Sequence, residues 1–288
     1  MRTALTALIL AGGAGTRLRP LSSDENPKQF LRIFDGVSLI EKTFDRVSRL
    51  VEPSSIFIST NEQYAPKCAA YLPRLPENNI LTEPARRNTA PAIAVCCYAI
   101  ESVIPEAVIA VLSSDSYIAD EEEFARVLTR AYDFAAASDY LVTVGIEPTD
   151  ANTGYGYLQL GDEIDPGMFQ LQRFAEKPSR EIAEEYLRTG GYCWNAGMFI
   201  WRASVFRRAL EEAAPEIASL ADRIVSSGDP AQRVAHYEAM PSISIDYALM
   251  ENAPRVAAIR GDFGWSDVGS FESLEKVGVP VAELLKRA

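Results

Sequence analysis

Leu8-Ile9-Leu10-Ala11-Gly12-Gly13-Ala14-Gly15-Thr16-Arg17-Leu18-Arg19-Pro20 is the stretch on which the reading of the fold turns. A short apolar run delivers a loop of three glycines and two alanines, so no large side chain bars its backbone N–H groups from an anion. A run this brief, apolar throughout and closed by turn residues, predicts a strand over residues 4–10 buried on both faces of a parallel sheet. Two familiar phosphate loops are excluded. A Walker A loop ends in Gly-Lys-Ser/Thr, whereas Gly15 is followed by Thr16-Arg17. A dinucleotide fingerprint needs a third glycine where Leu18 stands. Arg17 follows the loop directly and Lys28 comes eleven positions later, in Pro27-Lys28-Gln29-Phe30, which suits a polyphosphate with several charges to hold.

Working outward, further apolar runs at 55–60, 79–81, 108–112 and 140–146 alternate with amphipathic segments. Ser38 and Glu41 form a capping box for a helix over 39–50. Asn88 opens another over 89–103, with Pro91 in its first turn. Asp120 and three glutamates place negative charge at the start of a helix over 124–137. This alternation predicts βαβ units and an α/β fold. After residue 150 the segments 154–160 and 168–174 predict antiparallel strands, helices follow at 180–187, 203–212 and 216–225, and a last strand at 256–259. The end, 271–287, reads as partly helical. No linker or repeat interrupts the chain, so one continuous domain over 1–288 is expected.

Composition narrows the function. The 288 residues carry 28 Lys plus Arg against 40 Asp plus Glu, a net charge of −12, which argues against a nucleic-acid binder. Residues 1–32 nevertheless hold five basic groups (Arg2, Arg17, Arg19, Lys28, Arg32) and two acids, a local +3 on an otherwise acidic chain. Such a patch points to a small anionic ligand steered to one place. His236 is the single histidine, which excludes multi-histidine metal sites and leaves little for a histidine-dependent nucleophilic mechanism. Four cysteines without C-x-x-C spacing read as packing in a reducing compartment, and no apolar stretch approaches membrane-spanning length. A cytoplasmic location, with no membrane partner, is expected.

The string Gly12-Gly13-Ala14-Gly15-Thr16-Arg17-Leu18-Arg19-Pro20-Leu21 with Pro27-Lys28-Gln29-Phe30 resembles the signature loop of the sugar-1-phosphate nucleotidyltransferase family, in the form carried by its mannose-1-phosphate guanylyltransferase branch. The segment 83–92 resembles that family's guanine-side segment. Gly154-Tyr155-Gly156-Tyr157, Phe174-Ala175-Glu176-Lys177-Pro178, Trp194-Asn195-Ala196-Gly197-Met198-Phe199, Ile245-Asp246-Tyr247-Ala248-Leu249-Met250-Glu251 and Phe263-Gly264-Trp265-Ser266-Asp267-Val268-Gly269 follow in the family's order, so the likeness covers roughly 4–275. There are two departures. Position 116 is serine where the family commonly has histidine, and the sequence stops soon after Asp267, so neither a β-helical tail nor an isomerase domain is expected.

The resemblance implies a Rossmann-like fold with a mixed, mostly parallel sheet flanked by helices. It implies attack of a sugar-1-phosphate oxygen on the α-phosphorus of GTP, with mannose 1-phosphate as acceptor and GDP-mannose and pyrophosphate as products. Mg²⁺ or another divalent cation is implied, held by Asp115 and Asp267. Arg17 and Lys28 become the catalytic cations. Ala11, Gly12, Gly13, Gly15, Thr16, Arg87, Asn88 and Thr89 are expected at the nucleotide. Gly154, Tyr155, Gly156, Glu176, Lys177 and Asn195 are expected at the sugar phosphate. A homodimer is compatible with the likeness. Two rival readings remain open: another base or sugar specificity within the family, favoured slightly by Arg19, and a catalytically silent subunit that binds GDP-sugars.

Overall fold

In the computed structural model residues 5–13 and 15–286 are described. Ala4 at the head of the predicted first strand, Ala14 in the glycine loop, Arg2 of the basic cluster and Arg287 of the predicted terminal helix lie outside them. Among the described residues nine strands form one sheet: β1 (Leu5–Leu10), β2 (Ile56–Asn61), β3 (Ile80–Glu83), β4 (Val108–Ser113), β5 (Leu141–Ile146), β6 (Tyr157–Asp165), β7 (Met168–Ala175), β8 (Tyr192–Arg202) and β9 (Val256–Gly261). Their order is β3-β2-β1-β4-β8-β5-β9-β7-β6, with β8 also reaching β6. Only β7 and β8 run against the other strands, so the sheet is mixed but mostly parallel in strand direction.

The first strand explains why the sheet must be covered twice. Ala7 and Ile9 face one apolar core and Leu8 the other, all fully buried. Against the first core pack α1 (Leu39–Val47), α2 (Ala65–Tyr71), α4 (Glu121–Ala137) and α5 (Arg180–Thr189), numbered in chain order. The second is covered by α3 (Thr89–Val103), α6 (Ala203–Ala213), α7 (Pro215–Ser226) and Tyr237 of α8 (Pro230–Ala239). The capping box of α1 forms as the sequence predicts, with the Ser38 hydroxyl accepting from the Glu41 N–H and the Glu41 carboxylate from the Ser38 N–H. Asp120 caps α4 by accepting from the N–H groups of Glu122 and Glu123. All four cysteines are free and buried.

One long element escapes the sequence reading. Strand β8 is apolar on both faces and broken by Gly197, so it shows no period-2 alternation; it appears in the sequence only as a motif. Its place between β4 and β5 brings the motif to the carboxyl ends of β1 and β4, where an open α/β sheet offers its crevice. A third, smaller apolar cluster joins Leu18, Leu31 and Phe34 near the glycine loop to Val268 and to α9 (Phe271–Lys276) and α10 (Val281–Leu285). It ties the two ends of the chain together beside the crevice.

Candidate active site

The crevice is a cleft of about 610 Å³ that opens above the carboxyl ends of β1 and β4. Most of the residues singled out from the sequence line it: Gly12, Gly13, Arg17, Lys28, Arg87, Asn88, Thr89, Asp115, Gly154, Tyr155, Gly156, Glu176, Asn195 and Asp267. Ala11, Gly15, Thr16 and Lys177 do not. Ala11 is buried beneath the loop. Thr16 starts the 3₁₀ turn Thr16–Leu18. Lys177, at a φ of 45°, turns its exposed side chain onto the Glu176 carboxylate.

The glycine loop is held by side chains that the sequence reading passed over. Gln29 donates to the carbonyls of Ala11 at 2.9 Å and Gly13 at 3.1 Å. Thr60 donates to the Ala11 carbonyl at 3.0 Å and Asn61 to that of Gly12 at 2.8 Å. Carbonyl oxygens turned toward the cleft would repel phosphate, and these three side chains hold them back. Gln29 was visible in the Pro27-Lys28-Gln29-Phe30 string; Thr60 and Asn61, at the end of β2, carried no local signal. Gly15 is required by geometry. Its φ is +60°, and a Cβ there would lie 2.6 Å from the Lys28 backbone nitrogen. Gly15→Ala should therefore lower stability by about 1–2 kcal/mol from the left-handed backbone alone, with more from the clash, read as a fall in Tm.

Lys28 is 5 % exposed, an unusual fate for a lysine. Its Nζ lies 2.9 Å from Asp115 Oδ2 and also donates to the Asp267 carbonyl. The carboxylate of Asp267 takes the Tyr155 hydroxyl at 2.8 Å and the Gly269 N–H at 3.1 Å on Oδ1, with Arg17 3.5 Å from Oδ2. Burial pushes the Asp115 carboxyl up, yet the Lys28 ammonium and the Ser113 hydroxyl outweigh it and hold it below the usual range. The Lys28 ammonium thus joins the Asp115 carboxylate to the main chain of Asp267, whose own carboxylate lies toward Arg17. The donors are hard oxygens, and the ammonium sits where a small cation would be attracted; the set fits a divalent ion completed by phosphate and water. No group of three or more His, Cys, Asp or Glu suited to a metal occurs among the described residues. Tyr155, expected at the sugar through its backbone, also reaches Asp267 through its hydroxyl, and its ring meets Trp194 and Trp265 edge-on.

At one end of the cleft Glu83 is joined to two distant hydroxyls, Ser59 at 2.9 Å and Tyr237 at 2.7 Å. Burial raises its carboxyl above the usual range, while both hydroxyls work to keep it ionised. Asn88 caps α3 through the Thr89 N–H, and the Thr89 hydroxyl accepts from the Ile245 N–H at 2.9 Å, so both have structural work besides any ligand contact. At the other end Gly156 makes room for Glu176, because a Cβ there would stand 2.6 Å from Glu176 Oε2. Asp246, which the sequence reading left without a role, lines the same wall. Burial first and the Glu176 charge second push its carboxyl up to about 6.

That shift has a stability consequence. A carboxyl raised on folding stabilises the protein fully below its unfolded value near 4 and loses that contribution as pH rises through about 6. Asp246→Asn should therefore raise Tm above pH 7 and do little at pH 4, with a gain of up to about 2 kcal/mol after allowance for partial exposure. Thermal melts of both proteins across that range read the difference. An equal change at both ends would show that the charge is not costly in the fold.

A family model for nucleotidyl transferases matches residues 6–283. The chain belongs to the nucleotidyl transferase family. It is 38% identical over 279 residues to the mannose-1-phosphate guanylyltransferase of Salmonella muenchen, covering 94% of this chain and 59% of that protein. It is likewise 38% identical over 292 residues to a protein of the same name from Escherichia coli, covering 97% and 61%. The chain thus spans about three fifths of the length of these relatives. A crystal structure from Thermus thermophilus, described as mannose-1-phosphate geranyltransferase, superposes with a TM-score of 0.86 at 33% identity, over 96% of this chain and 79% of that one. The nucleotidyl transferase α/β architecture read from the sequence is therefore the one this chain adopts. No helix among the described residues is long and apolar enough to cross a membrane.

Proposed function

We propose that the chain transfers GMP from GTP to mannose 1-phosphate, forming GDP-mannose and pyrophosphate. The observation that carries this reading is that one cleft joins the glycine loop, the Lys28–Asp115–Asp267 cluster and a wall of sugar-compatible polar groups. The names of the guanylyltransferase relatives support the choice of substrates. Guanine offers two adjacent donors on its pairing edge, and the doubly hydrogen-bonded Glu83 carboxylate is an acceptor suited to them.

The chemistry asks little of acid–base groups. The attacking phosphate has a second pKa near ~6, so at neutral pH it is already mostly a dianion. The task is to bring two polyanions together in line and to stabilise charge on the displaced phosphates. The glycine loop supplies backbone donors, Arg17 an exposed guanidinium for the β- and γ-phosphates, and Lys28 a buried ammonium beside the α-phosphate. Asp115 and Asp267 would hold a divalent cation, which when bound neutralises phosphate charge in the transition state. Glu176 and Asn195 would bond sugar hydroxyls.

Pyrophosphate release measured over a panel of nucleoside triphosphates and sugar 1-phosphates tests the proposal. Preference for GTP with mannose 1-phosphate is the expected result; a different preferred pair, or binding of GDP-mannose without turnover, would overturn it. The lone histidine gives a second check. His236 lies on α8 at a shallow surface depression, apart from the cleft. His236→Gln should leave kcat and its pH profile between 6 and 9 almost unchanged, and loss of most turnover there would sink the base-free mechanism.

A further inference from the structure

The opposite wall of the cleft contains a chain of hydrogen bonds that starts from Thr143, a fully buried residue behind the lining. Strands β5 and β8 lose register between Thr143 and Gly145: Thr143 faces Phe199, but Gly145 faces Asn195, so β8 carries extra residues at this point. Bulges of this kind re-aim side chains beside functional sites. Here the bulge, with Gly197 at a φ of 66°, turns Asn195 into the cleft. The amide of Asn195 then has no freedom to flip. Its Oδ1 accepts from the Gly197 N–H at 3.1 Å, a bond that only an oxygen can take, and lies 3.1 Å from the Thr143 hydroxyl, whose single proton it shares with the Met198 carbonyl at 3.2 Å. Its Nδ2 is therefore the atom that faces Asp246 Oδ1, at 3.2 Å.

Asp246 is placed with equal care. It opens a π-helical turn, Asp246–Met250, a form that recurs at functional sites. The preceding Ile245 N–H is anchored to the Thr89 hydroxyl at the start of α3, and the Glu251 carboxylate after the turn accepts from the Glu176 N–H at 3.1 Å. One short segment thus sets two carboxylates, Asp246 and Glu176, on the same wall of the cleft. Two carboxylates brought this close repel, and the neighbouring Lys177 ammonium pairs with Glu176 rather than with Asp246. Its own N–H, the Lys177 charge and the Ser244 hydroxyl favour the Asp246 carboxylate, while burial and the Glu176 charge oppose it more strongly.

We propose that Asp246 accepts a hydrogen bond from a ring hydroxyl of the sugar phosphate, and that buried Thr143 is the positioning residue that orients Asn195 to hold it. This rests on the sugar-nucleotidyl reading above. Asn195 has one amide N–H left after bonding Asp246, so the pair offers a donor beside an acceptor, the complement of a hydroxyl. A site that bonds a hydroxyl in this way discriminates strongly against the analogue lacking it.

The test uses the intact chain with GTP, mannose 1-phosphate and its mono-deoxy analogues. The parent should lose kcat/KM by about 10²-fold or more on one deoxy analogue, and Asp246→Asn should shrink that one penalty while leaving the others. Thr143→Val, which removes only the hydroxyl, should raise KM for the sugar phosphate by about tenfold with KM for GTP unchanged, and Thr143→Ser should restore it. Melting curves show whether each variant is folded, and Asp246→Asn keeps the proposal testable if Thr143→Val is not. Parental KM and an unaltered deoxy pattern in Asp246→Asn would overturn the assignment. If the parent prefers another sugar 1-phosphate, the mannose reading falls by itself. The variants are then scored with that sugar, and unchanged KM values there would overturn this inference too.

Discussion

Asp267→Asn should lower kcat by about 10²-fold or more and leave the fold intact. The side chain keeps its shape, and an amide oxygen can still accept from the Tyr155 hydroxyl and the Gly269 N–H. What disappears is the charge that would share a divalent cation with Asp115. The partner left behind, Arg17, is 72% exposed and returns to water at little cost. Steady-state pyrophosphate release over a range of metal concentrations, beside a thermal melt, measures both halves of the expectation. Near-parental turnover in the variant, or full activity of the parent in excess chelator, would remove the metal role from this residue.

Lys28→Met should reduce kcat by about 10²–10³-fold, with KM for GTP changed far less. The argument is positional. This ammonium is buried and held by Asp115 Oδ2 and the Asp267 carbonyl, so it needs no reorganisation to meet developing charge. Arginine should not rescue it, because the wider guanidinium would have to fit the buried position where the ammonium meets Asp115 Oδ2 and the Asp267 carbonyl. Stability supplies an independent reading. Lys28 depresses the Asp115 carboxyl, and a depressed carboxyl stabilises the fold above its unfolded value near 4 and loses that contribution as pH falls. The Tm deficit of Lys28→Met should therefore be largest near neutral pH and shrink toward pH 4. A raised KM for GTP with unchanged kcat would leave Lys28 only a ground-state contact.

The chain shows clearly what local pattern can and cannot carry. Helix α3 is legible to the residue, because Asn88, Pro91 and an apolar run specify its start and length without outside help. Strand β8 is not, because a strand buried on both faces and bulged at Gly197 has lost the alternation that would reveal it. Among the site residues, those in glycine-rich or charged motifs stood out. Glu83 was passed over although it heads the Glu83-Pro84 segment, since a lone glutamate at a strand end usually faces solvent. Ser59, 24 positions away, and Tyr237, 154 positions away, make it a half-buried and directed carboxylate.

From the sequence alone came the alternation of strands and helices, the phosphate-compatible loop, and the cluster of basic residues around it, because each depends on neighbours close by in the chain. The tertiary structure decided which atoms meet. Gln29, Thr60 and Asn61 hold back the loop carbonyls, Tyr155 reaches Asp267 across 112 positions, and Asn195 meets Thr143 on one side and Asp246 on the other. These contacts follow from strand order, a register shift and the direction of individual side chains. Such features are selected by burial over the whole sheet, where the free energy of packing β8 between β4 and β5 outweighs any local preference, and no short window of sequence contains them.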